Sequence, residues 1–278
     1  MLPAIIFLVI TGLIVITILF SPVLIKQQRN HIKRRPFSPL WNSIIENNLP
    51  LYPHLSPPER RRLQGHIQVF LAEKQFIGCN GLQITEEIKV IIAAIACLLL
   101  LNERGKYFPK LRSILIYPTA YFANETTVSG NYIVEEKRVI RLGESWSRDQ
   151  LVLSWQQVKR DTQNWQDGQN VVLHEFAHQL DQEDGKAEGV PILQKQSEYS
   201  NWSKVMTQEY NQLCNNVEQQ RKTVMYSYGA TNPAEFFSVA TETFFEKPQQ
   251  LQKKHPELYQ LLQNYYKLDP VQWDIKHN

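Results

Sequence analysis

The feature that most constrains the fold of this chain is the motif H-E-x-x-H, which lies in the sequence VVLHEFAHQLD at residues 171–181. On an α-helix, residues four apart lie one turn apart on one face, so His174 and His178 can bind the same metal ion. Two neutral imidazoles suit Zn²⁺ and leave room for a third protein ligand and a water molecule. Glu175 follows the first histidine, and its carboxylate can accept a proton from that water. The motif therefore predicts a zinc hydrolase that cleaves peptide bonds.

The residues around the motif predict a helix in the centre of a domain. Uncharged side chains stand at Val171, Val172, Leu173, Phe176, Ala177 and Leu180. Asn170, at the end of a turn over residues 167–170, is placed to cap this helix. The alternative to a metal site is a structural helix with two hydrogen-bonded histidines and a solvated glutamate. Because such polar side chains on a buried helix are costly without partners, the sequence favours the metal site.

The length and charge of the chain limit the class of protein. With 278 residues and 43% hydrophobic content, the chain can bury a full core, and one catalytic domain is expected. Of its 30 basic and 27 acidic residues, five basic and no acidic ones lie in residues 1–35, which leaves 25 basic and 27 acidic ones elsewhere. This balance argues against a basic surface that binds nucleic acid.

The three cysteines, Cys79, Cys97 and Cys214, lack the spacing of metal ligands and fit a reducing compartment.

The N-terminal residues predict a membrane anchor. No charged residue lies in residues 2–25, and this apolar run is long enough to cross a bilayer. A cleaved signal peptide is the alternative, but no basic residue precedes the run, and Phe-Ser-Pro-Val at residues 20–23 is a poor cleavage site. Basic residues follow directly at residues 26–35, so the positive-inside rule places the catalytic domain in the cytoplasm. We therefore expect a single-pass protein of the bacterial cell membrane.

The chain divides into four parts. We expect a transmembrane anchor over residues 1–25, a basic and proline-rich linker over 26–58, a zincin-like metallopeptidase domain over 59–270 and a tail over 271–278. Helical spacing of apolar residues predicts helices over residues 59–73 and 85–101. Short β-branched or aromatic runs predict strands over residues 113–117, 139–142 and 151–155. The expected fold class is α+β: a mostly helical zincin-like domain with a small sheet, preceded by one transmembrane helix.

A zinc site of this kind needs a third protein ligand from elsewhere in the chain. A histidine six residues after the second one is excluded, because Asp184 stands there and Asp181 replaces the glycine of that longer motif. The alternative is a glutamate on a later helix. Glu235 and Glu242 lie on one face of a helix predicted to begin with Asn-Pro at residues 232–233. Either can be the ligand, and Glu242 can instead accept a hydrogen bond from a histidine.

Four segments of the chain carry a resemblance to a known family. They are His174-Glu175-Phe176-Ala177-His178-Gln179-Leu180-Asp181, Leu153-Ser154-Trp155 before it, and Tyr228-x6-Glu235 and Asn232-Pro233-Ala234-Glu235-Phe236-Phe237 after it. Together they resemble the Mlc titration factor A family of metallopeptidases, over residues 40 to 270 of this chain. The predicted zinc-binding core is also similar to that of anthrax lethal factor.

The resemblance implies a role for each matching residue. His174, His178 and Glu235 would bind one Zn²⁺, and Glu175 would be the general base. This carboxylate would deprotonate the zinc-bound water and later protonate the leaving amine. Tyr228 would stabilise the oxyanion of the tetrahedral intermediate through its hydroxyl group.

Three further residues or segments carry open interpretations. Tyr226 is an alternative to Tyr228 as the tyrosine of the site, and either one can simply pack. Asp181 is either an acceptor that orients a histidine or a helix-end acid that faces solvent. One of the strands between residues 111 and 155 is the expected edge of the cleft, where an extended substrate can pair with it, and the strand at residues 151–155 is the first choice.

Other functions remain open beside a peptidase that acts on peptides or proteins. One is a regulatory binding module that resembles the repressor-titrating role of the family and keeps a weak or vestigial peptidase site. A structural zinc would need a fourth protein ligand, for example both Glu235 and Glu242. Another is a zinc hydrolase of a non-peptide bond. The intact Glu175 favours catalysis. Soluble relatives have a regulatory partner, such as a transcriptional repressor, and because this chain is expected to carry a membrane anchor, we do not assign that partner to it.

Overall fold

The structure, a computed structural model, describes residues 2–102, 106–119, 121–129, 133–141, 143–147 and 149–273. Its helices are α1 (Leu2–Lys33), α2 (Pro39–Asn48), α3 (Pro57–Glu73), α4 (Glu86–Leu98), α5 (Trp155–Gln163), α6 (Val171–Asp181), α7 (Gln196–Glu218), α8 (Pro233–Glu246), α9 (Pro248–Lys254) and α10 (Pro256–Tyr266). Its strands are β1 (Gln75–Gly78), β2 (Ser113–Tyr117), β3 (Tyr121–Ser129), β4 (Ile133–Arg141), β5 (Gly143–Ser147) and β6 (Gln150–Ser154). These elements confirm the expected α+β class, mostly helical with a small sheet.

The main sheet has the strand order β1-β2-β6-β5. Strands β1, β2 and β6 run parallel, and β5 is antiparallel to β6. Ile114 and Ile116 of β2 are buried beside Leu151 and Leu153 of β6, so this face of the sheet packs into the core. Strands β3 and β4 form a separate antiparallel pair. Helix α6 contacts both β5 and β6, which places the motif helix at the β5 end of the main sheet.

Helix α4 runs through the interior of the domain. Every residue from 90 to 98 is buried, as expected for a helix that carries no charge over that stretch. Thr85 caps its N-terminus by accepting a hydrogen bond from the backbone N–H of Ile88 at 3.3 Å. Phe70 of α3 packs on Phe176 of α6, with ring centroids 5.7 Å apart. The motif helix is therefore held by the same core that encloses α4.

The helices predicted over residues 59–73 and 85–101 are confirmed as α3 and α4. Helix α3 begins two residues before the predicted start, because Ser56 and Glu59 form a capping box in which the backbone N–H of Ser56 donates to Glu59 at 2.8 Å. Helix α4 ends three residues before the predicted end, at Leu98. The apolar residues that follow it are buried in turns rather than in helix.

The predicted strands fall into two different sheets. Residues 113–117 form β2, and residues 151–155 correspond to β6, but the run at 139–142 belongs to β4, which pairs with β3. Leu142 lies outside the described residues, as do residues 274–278 of the predicted tail. Because β6 is paired with both β2 and β5, its backbone groups are already used, and the prediction that it forms the cleft edge is wrong.

Helix α1 ends in contact with the rest of the domain. Its last turns pack on α3, where Ile32 is buried and Arg29 forms a two-bond ion pair with Glu73 at 2.7 and 2.9 Å. The side chain of Gln68 in α3 also donates to the backbone carbonyl of Arg35 at 3.0 Å. Lys26, Arg29 and Lys33 after the apolar run therefore belong to a helix that docks on α3.

In the described part of the chain, we find no helix with the length and apolar character that crossing a membrane requires. The transmembrane anchor expected over residues 1–25 is therefore not supported (Met1 lies outside the described residues), and the prediction of a single-pass protein of the cell membrane is wrong. The uncharged length of the run predicts a helix that ends at the last apolar residue. The structure instead continues α1 through Lys26 to Lys33, where α3 covers its end.

Candidate metal centre

Helix α6 carries both histidines of the motif. Asn170 caps the helix, as predicted, because its Oδ1 accepts a hydrogen bond from the backbone N–H of Leu173 at 3.1 Å. His174 and His178 lie one turn apart, and their ring centroids are 4.9 Å from each other. Both rings point toward α8, which packs against α6.

Helix α8 brings two carboxylates to the face of α6 that carries the histidines. Asn232 caps α8 by accepting a hydrogen bond from the backbone N–H of Glu235 at 3.0 Å, and Pro233 is its first residue. The predicted helix start is therefore confirmed. Glu235 lies in the first turn and Glu242 two turns later, so both side chains can reach α6.

Three side-chain atoms converge between the two helices. Oε2 of Glu235 lies 2.9 Å from Nε2 of His174 and 3.2 Å from Nε2 of His178. The two nitrogen atoms are 3.2 Å apart. Among the residues that the structure describes, these three form the one group of His, Cys, Asp or Glu side chains that is arranged to hold a metal ion.

Glu242 lies on the other side of the His174 ring. Its Oε1 is 2.7 Å from Nδ1 of His174, and its Oε2 accepts a hydrogen bond from the backbone N–H of Asn170 at 2.6 Å. Glu242 therefore stands apart from the three converging atoms, in the position of a hydrogen-bond acceptor for the imidazole. A proton on Nδ1 leaves Nε2 with a lone pair that faces Glu235 and His178.

The three converging atoms need a proton or a cation among them. Without one, the lone pair of His174 Nε2 would face the carboxylate of Glu235 at 2.9 Å, and two electron-rich atoms at that distance repel each other. Burial by itself lowers the pKa of His174, but the carboxylates of Glu242 and Glu235 raise it well above its ordinary value. Burial by itself raises the pKa of Glu235, yet hydrogen bonds with His174 and His178 lower it to about 2. A proton held by an imidazole satisfies these contacts, and a bound metal ion would do the same.

The donor atoms fit zinc. Two imidazole nitrogens and one carboxylate oxygen are ligand types that Zn²⁺ takes, at bond lengths that separate tetrahedral ligands by roughly 3.3 Å. The observed separations of 2.9, 3.2 and 3.2 Å are close to that value. The structure thus brings together the side chains of His174, His178 and Glu235 at separations that suit one metal ion.

The other two predicted site residues lie next to this group. Glu175 is buried on α6, directly after His174. Tyr228 lies in the 3₁₀ turn Ser227–Ala230, with its ring centroid 6.0 Å from that of His174 and 45% of its surface exposed. Tyr226, the alternative tyrosine, precedes this turn and is 52% exposed. Of the two tyrosines, Tyr228 is the one with a described ring contact to His174.

Asp181 holds the loop that follows α6. Its carboxylate is buried and accepts hydrogen bonds from the backbone N–H groups of Gly189 at 2.9 Å and Val190 at 2.7 Å. Burial raises the pKa of Asp181 above its ordinary value. The hydrogen bonds described for this residue therefore orient a loop rather than a histidine ring, and the side chain does not face solvent.

Gly189 lies in this loop, and its backbone is packed closely against the start of α8. It has a φ of +74°, and a Cβ atom at this position would lie 2.3 Å from the carbonyl oxygen of Pro233. Its own carbonyl oxygen accepts a hydrogen bond from the indole N–H of Trp202 in α7 at 3.0 Å. Gly189 thus fixes the backbone two residues before Glu235, a role that the sequence alone does not reveal.

Buried acids surround the N-terminus of α6. They are Asp161, Glu242 and Glu246, which together accept hydrogen bonds from the backbone N–H groups of residues 168–171. Carboxyl oxygens here supply acceptors for N–H groups at the start of the helix, which have no partner within the helix itself. The sequence does not single out Asp161 or Glu246 as residues of the site. The four-residue spacing from Glu242 to Glu246 is a signal of a shared helix face, whereas nothing around Asp161 indicates burial.

Comparison with known proteins places this site in a family. Residues 24–267 match the family described as glucose-regulated metallo-peptidase M90. An uncharacterised protein of Synechocystis sp. is 45% identical over 272 residues, which cover 98% of this chain and 99% of the relative. Mlc titration factor A of Klebsiella pneumoniae is 30% identical over 84% of this chain and 87% of its own length. Mlc titration factor A of Yersinia pestis is 29% identical, with 83% and 85% covered. The family match includes α6 and α8, and the chain therefore belongs to the glucose-regulated metallo-peptidases M90.

Proposed function

We propose that this chain is a zinc-dependent metallopeptidase with a zincin-like domain, which hydrolyses peptide bonds in a peptide or protein substrate. Its membership of a metallopeptidase family supports the class of reaction. The observation that carries the proposal is the convergence of Nε2 of His174, Nε2 of His178 and Oε2 of Glu235 within hydrogen-bonding distance of one another.

His174, His178 and Glu235 would hold one zinc ion. When bound, zinc supplies a Lewis acid that polarises a carbonyl group and makes water more acidic. A structural zinc site uses four protein ligands. Glu242 does not serve as a fourth ligand here, because its carboxylate bonds to Nδ1 of His174, which faces away from the three converging atoms. This donor set supports a catalytic site rather than a structural one.

Glu175 is the proposed general base. It lies on α6 directly after His174, and it is separate from the three converging donor atoms. Its carboxylate accepts the proton of the attacking water and passes it to the leaving amine. The hydrogen bond between Glu242 and Nδ1 keeps Nε2 of His174 directed toward the centre during this transfer.

Tyr228 is the proposed donor to the oxyanion of the tetrahedral intermediate. Its ring lies beside that of His174. The turn that carries it is packed tightly, because a Cβ atom at Gly229 would lie only 3.2 Å from side-chain atoms of Leu213 and Val239. A hydroxyl group that is held in advance stabilises developing negative charge without reorganisation. The partial exposure of Tyr228 suits a group that meets the substrate at the surface.

Strand β5 is the proposed docking edge for an extended substrate. It pairs with β6 on one side, and among the described residues it has no partner strand on the other. Helix α6 packs against β5, so a peptide added to this edge runs near the motif helix. Pairing with an edge strand binds main-chain groups of any sequence, which suits a peptide substrate.

The proposal is tested with the purified full-length chain. We expect one zinc ion per chain by atomic absorption, and cleavage of members of a peptide library by the wild type. The Glu175→Gln variant should retain zinc and lose cleavage, whereas Glu188→Gln, which changes an exposed acid in the loop after α6, should keep both. Cleavage by Glu175→Gln at the wild-type rate would exclude the general-base role, and a wild type that binds no zinc would exclude the function.

A regulatory binding module is the second candidate. The relatives from Klebsiella and Yersinia are named for titration of Mlc, which implies a protein partner for those relatives. The same Glu175→Gln variant separates the two candidates. A peptidase loses its effect on a partner when this carboxylate is removed, whereas a binding module keeps it.

A further inference from the structure

We infer that Asn170 and Glu246 are positioning residues of the metal centre, which act on His174 through the carboxylate of Glu242. The inference rests on the proposed function, because it concerns the same zinc site. Asn170 and Glu246 are neither among the three proposed metal ligands nor the residue that bonds to His174 Nδ1, which is Glu242, and the proposed function gives them no role.

Asn170 is the point at which the two helices of the centre are tied together. Its backbone N–H donates to Oε2 of Glu242 at 2.6 Å, and its side-chain Nδ2 donates to Oε1 of Glu246 at 3.1 Å. Its Oδ1 accepts the capping hydrogen bond from the N–H of Leu173. Because Asn170 is fully buried, every one of these bonds forms away from water.

Further hydrogen bonds connect the partners of Asn170 to His174 and to the turn that precedes α6. Glu242 uses its other oxygen to hold Nδ1 of His174 at 2.7 Å. Glu246 uses its other oxygen to accept hydrogen bonds from the backbone N–H groups of Gly168 at 3.0 Å and Gln169 at 3.1 Å. Glu246 therefore fixes the turn and the side-chain amide of Asn170, and the backbone of Asn170 fixes the carboxylate of Glu242.

Hydrogen bonds from the backbone of residues 168–170 do not account for the contact of the second Glu242 oxygen with His174. An asparagine cap already satisfies the N–H of Leu173, and removing two carboxylates from water is costly. In the described part of the chain, neither Glu242 nor Glu246 has a lysine or arginine partner within ion-pair distance. Burial raises the pKa of Glu246 well above its ordinary value. A role in orienting the imidazole of His174 accounts for the cost, because partners of this kind set the tautomer and direction of a metal-binding histidine.

Zinc affinity of single and double variants tests the inference. Glu242→Gln should weaken zinc binding by roughly ten- to hundredfold, and Glu246→Gln by about tenfold, measured by competition with a chromogenic chelator. If Glu246 acts through Glu242, the double variant should bind zinc no more weakly than Glu242→Gln alone. Additive losses in the double variant, or wild-type affinity in Glu246→Gln, would overturn the inference.

Two further variants separate positioning from general loss of stability. Asn170→Ser keeps an oxygen for the helix cap but loses the donor to Glu246, so it should weaken zinc binding like Glu246→Gln, and it replaces that variant if Glu246→Gln does not fold. Thr85→Ala removes the cap of α4, far along the chain from the site, and should lower the melting temperature without changing zinc affinity. A loss of zinc affinity in Thr85→Ala equal to that in Asn170→Ser would assign the effect to stability and overturn the inference.

A spectroscopic measurement gives a second readout. With Co²⁺ in place of zinc, the visible absorption bands report the geometry of the donors, and Glu246→Gln should shift them from those of the wild type. Unchanged bands together with unchanged affinity would exclude a positioning role. If the wild type binds zinc but cleaves no peptide, the proposed function is overturned. The zinc affinities of the variants still test the positioning role in that case.

Discussion

Nδ1 of His174 lies 2.7 Å from Oε1 of Glu242, on the side of the ring away from the other donors. This hydrogen bond connects the motif helix α6 directly to α8, the helix that also carries Glu235. An imidazole that is held at one nitrogen cannot turn its other nitrogen out of the site without breaking this bond. The arrangement therefore fixes which nitrogen faces the proposed zinc ion, and it makes the centre depend on how the two helices pack.

Replacing Glu235 should remove most of the zinc affinity. In Glu235→Gln the charged oxygen that meets both histidines is lost, and we expect zinc to bind at least about a hundredfold more weakly in a chelator competition. Glu257→Gln is the matched control, because Glu257 is also an acid in the first turn of a helix that begins with proline. Equal affinities in the two variants would mean that Glu235 merely complements its helix dipole.

Removing the hydroxyl group of Tyr228 should slow catalysis without loss of zinc. If this group stabilises the oxyanion, Tyr228→Phe lowers kcat by roughly a hundredfold, while KM and zinc content stay near their wild-type values. Tyr226→Phe removes the same group from the neighbouring exposed tyrosine and should leave kcat unchanged. The assignment of the two tyrosines is reversed if the loss occurs in Tyr226→Phe instead.

Asp161 should make the stability of the protein depend on pH. Burial raises its pKa to about 7 in the folded protein, whereas the value in an unfolded chain is roughly 3.9. Between these values the folded carboxyl group keeps a proton that the unfolded one has released. Its contribution to stability is therefore fully present below about pH 4 and is lost as the pH rises through about 7.

The Asp161→Asn variant isolates the pH-dependent part of this contribution. Its amide oxygen can still accept the hydrogen bond from the N–H of Val171, and the loss of the acceptor for Gln157 changes stability equally at every pH. The free energy of unfolding of the wild type minus that of the variant should fall by up to about 1.4 kcal/mol per pH unit between about pH 4 and 7, and should be constant above that. Urea denaturation across this range measures the difference. A difference that rises with pH would show that Asp161 is ionised when folded.

Gly189→Ala should be far more destabilising than Gly81→Ala. Both glycines have a positive φ, +74° and +79°, so alanine is strained at either position. At Gly81 nothing lies near the new Cβ, and the loss should be about 1 kcal/mol. At Gly189 the Cβ would meet the carbonyl oxygen of Pro233, and we expect a loss of roughly 3 kcal/mol or more, together with weaker zinc binding because Glu235 must shift. Similar losses in the two variants would contradict the tight approach of this loop to α8.

The sequence predicted those parts of the site that depend on local structure. The spacing of His174 and His178, the cap at Asn170 and the helix start before Glu235 each follow from rules that act within one or two helical turns. The structure places these local elements against each other, which the spacing alone does not require. The choice between Glu235 and Glu242 stayed open because both lie on one helix face, and their distances to the two nitrogens of His174 arise from the packing of α8 on α6.

Features that depend on distant parts of the chain were missed or predicted wrongly. The apolar run at the N-terminus continues as a helix into contact with α3, and an uncharged length says nothing about such a contact. Strand β6 was expected at the edge of the cleft, but the alternation of side chains does not reveal how many neighbours a strand has. Gly189 and Asp161 act on backbone groups that are distant along the chain, so their residue types carry no signal of those roles.

His178 and Glu235 are 57 positions apart along the chain, yet their donor atoms are neighbours. A cation shared by them would close a long loop that contains α7, so it would act as a reversible crosslink in addition to the side-chain packing and hydrogen bonds between α6 and α8. Loss of the ion would release this crosslink and expose the intervening segment to opening motions. Resistance to digestion by added proteases would then track metal supply, and the cell could remove the ion-free protein selectively.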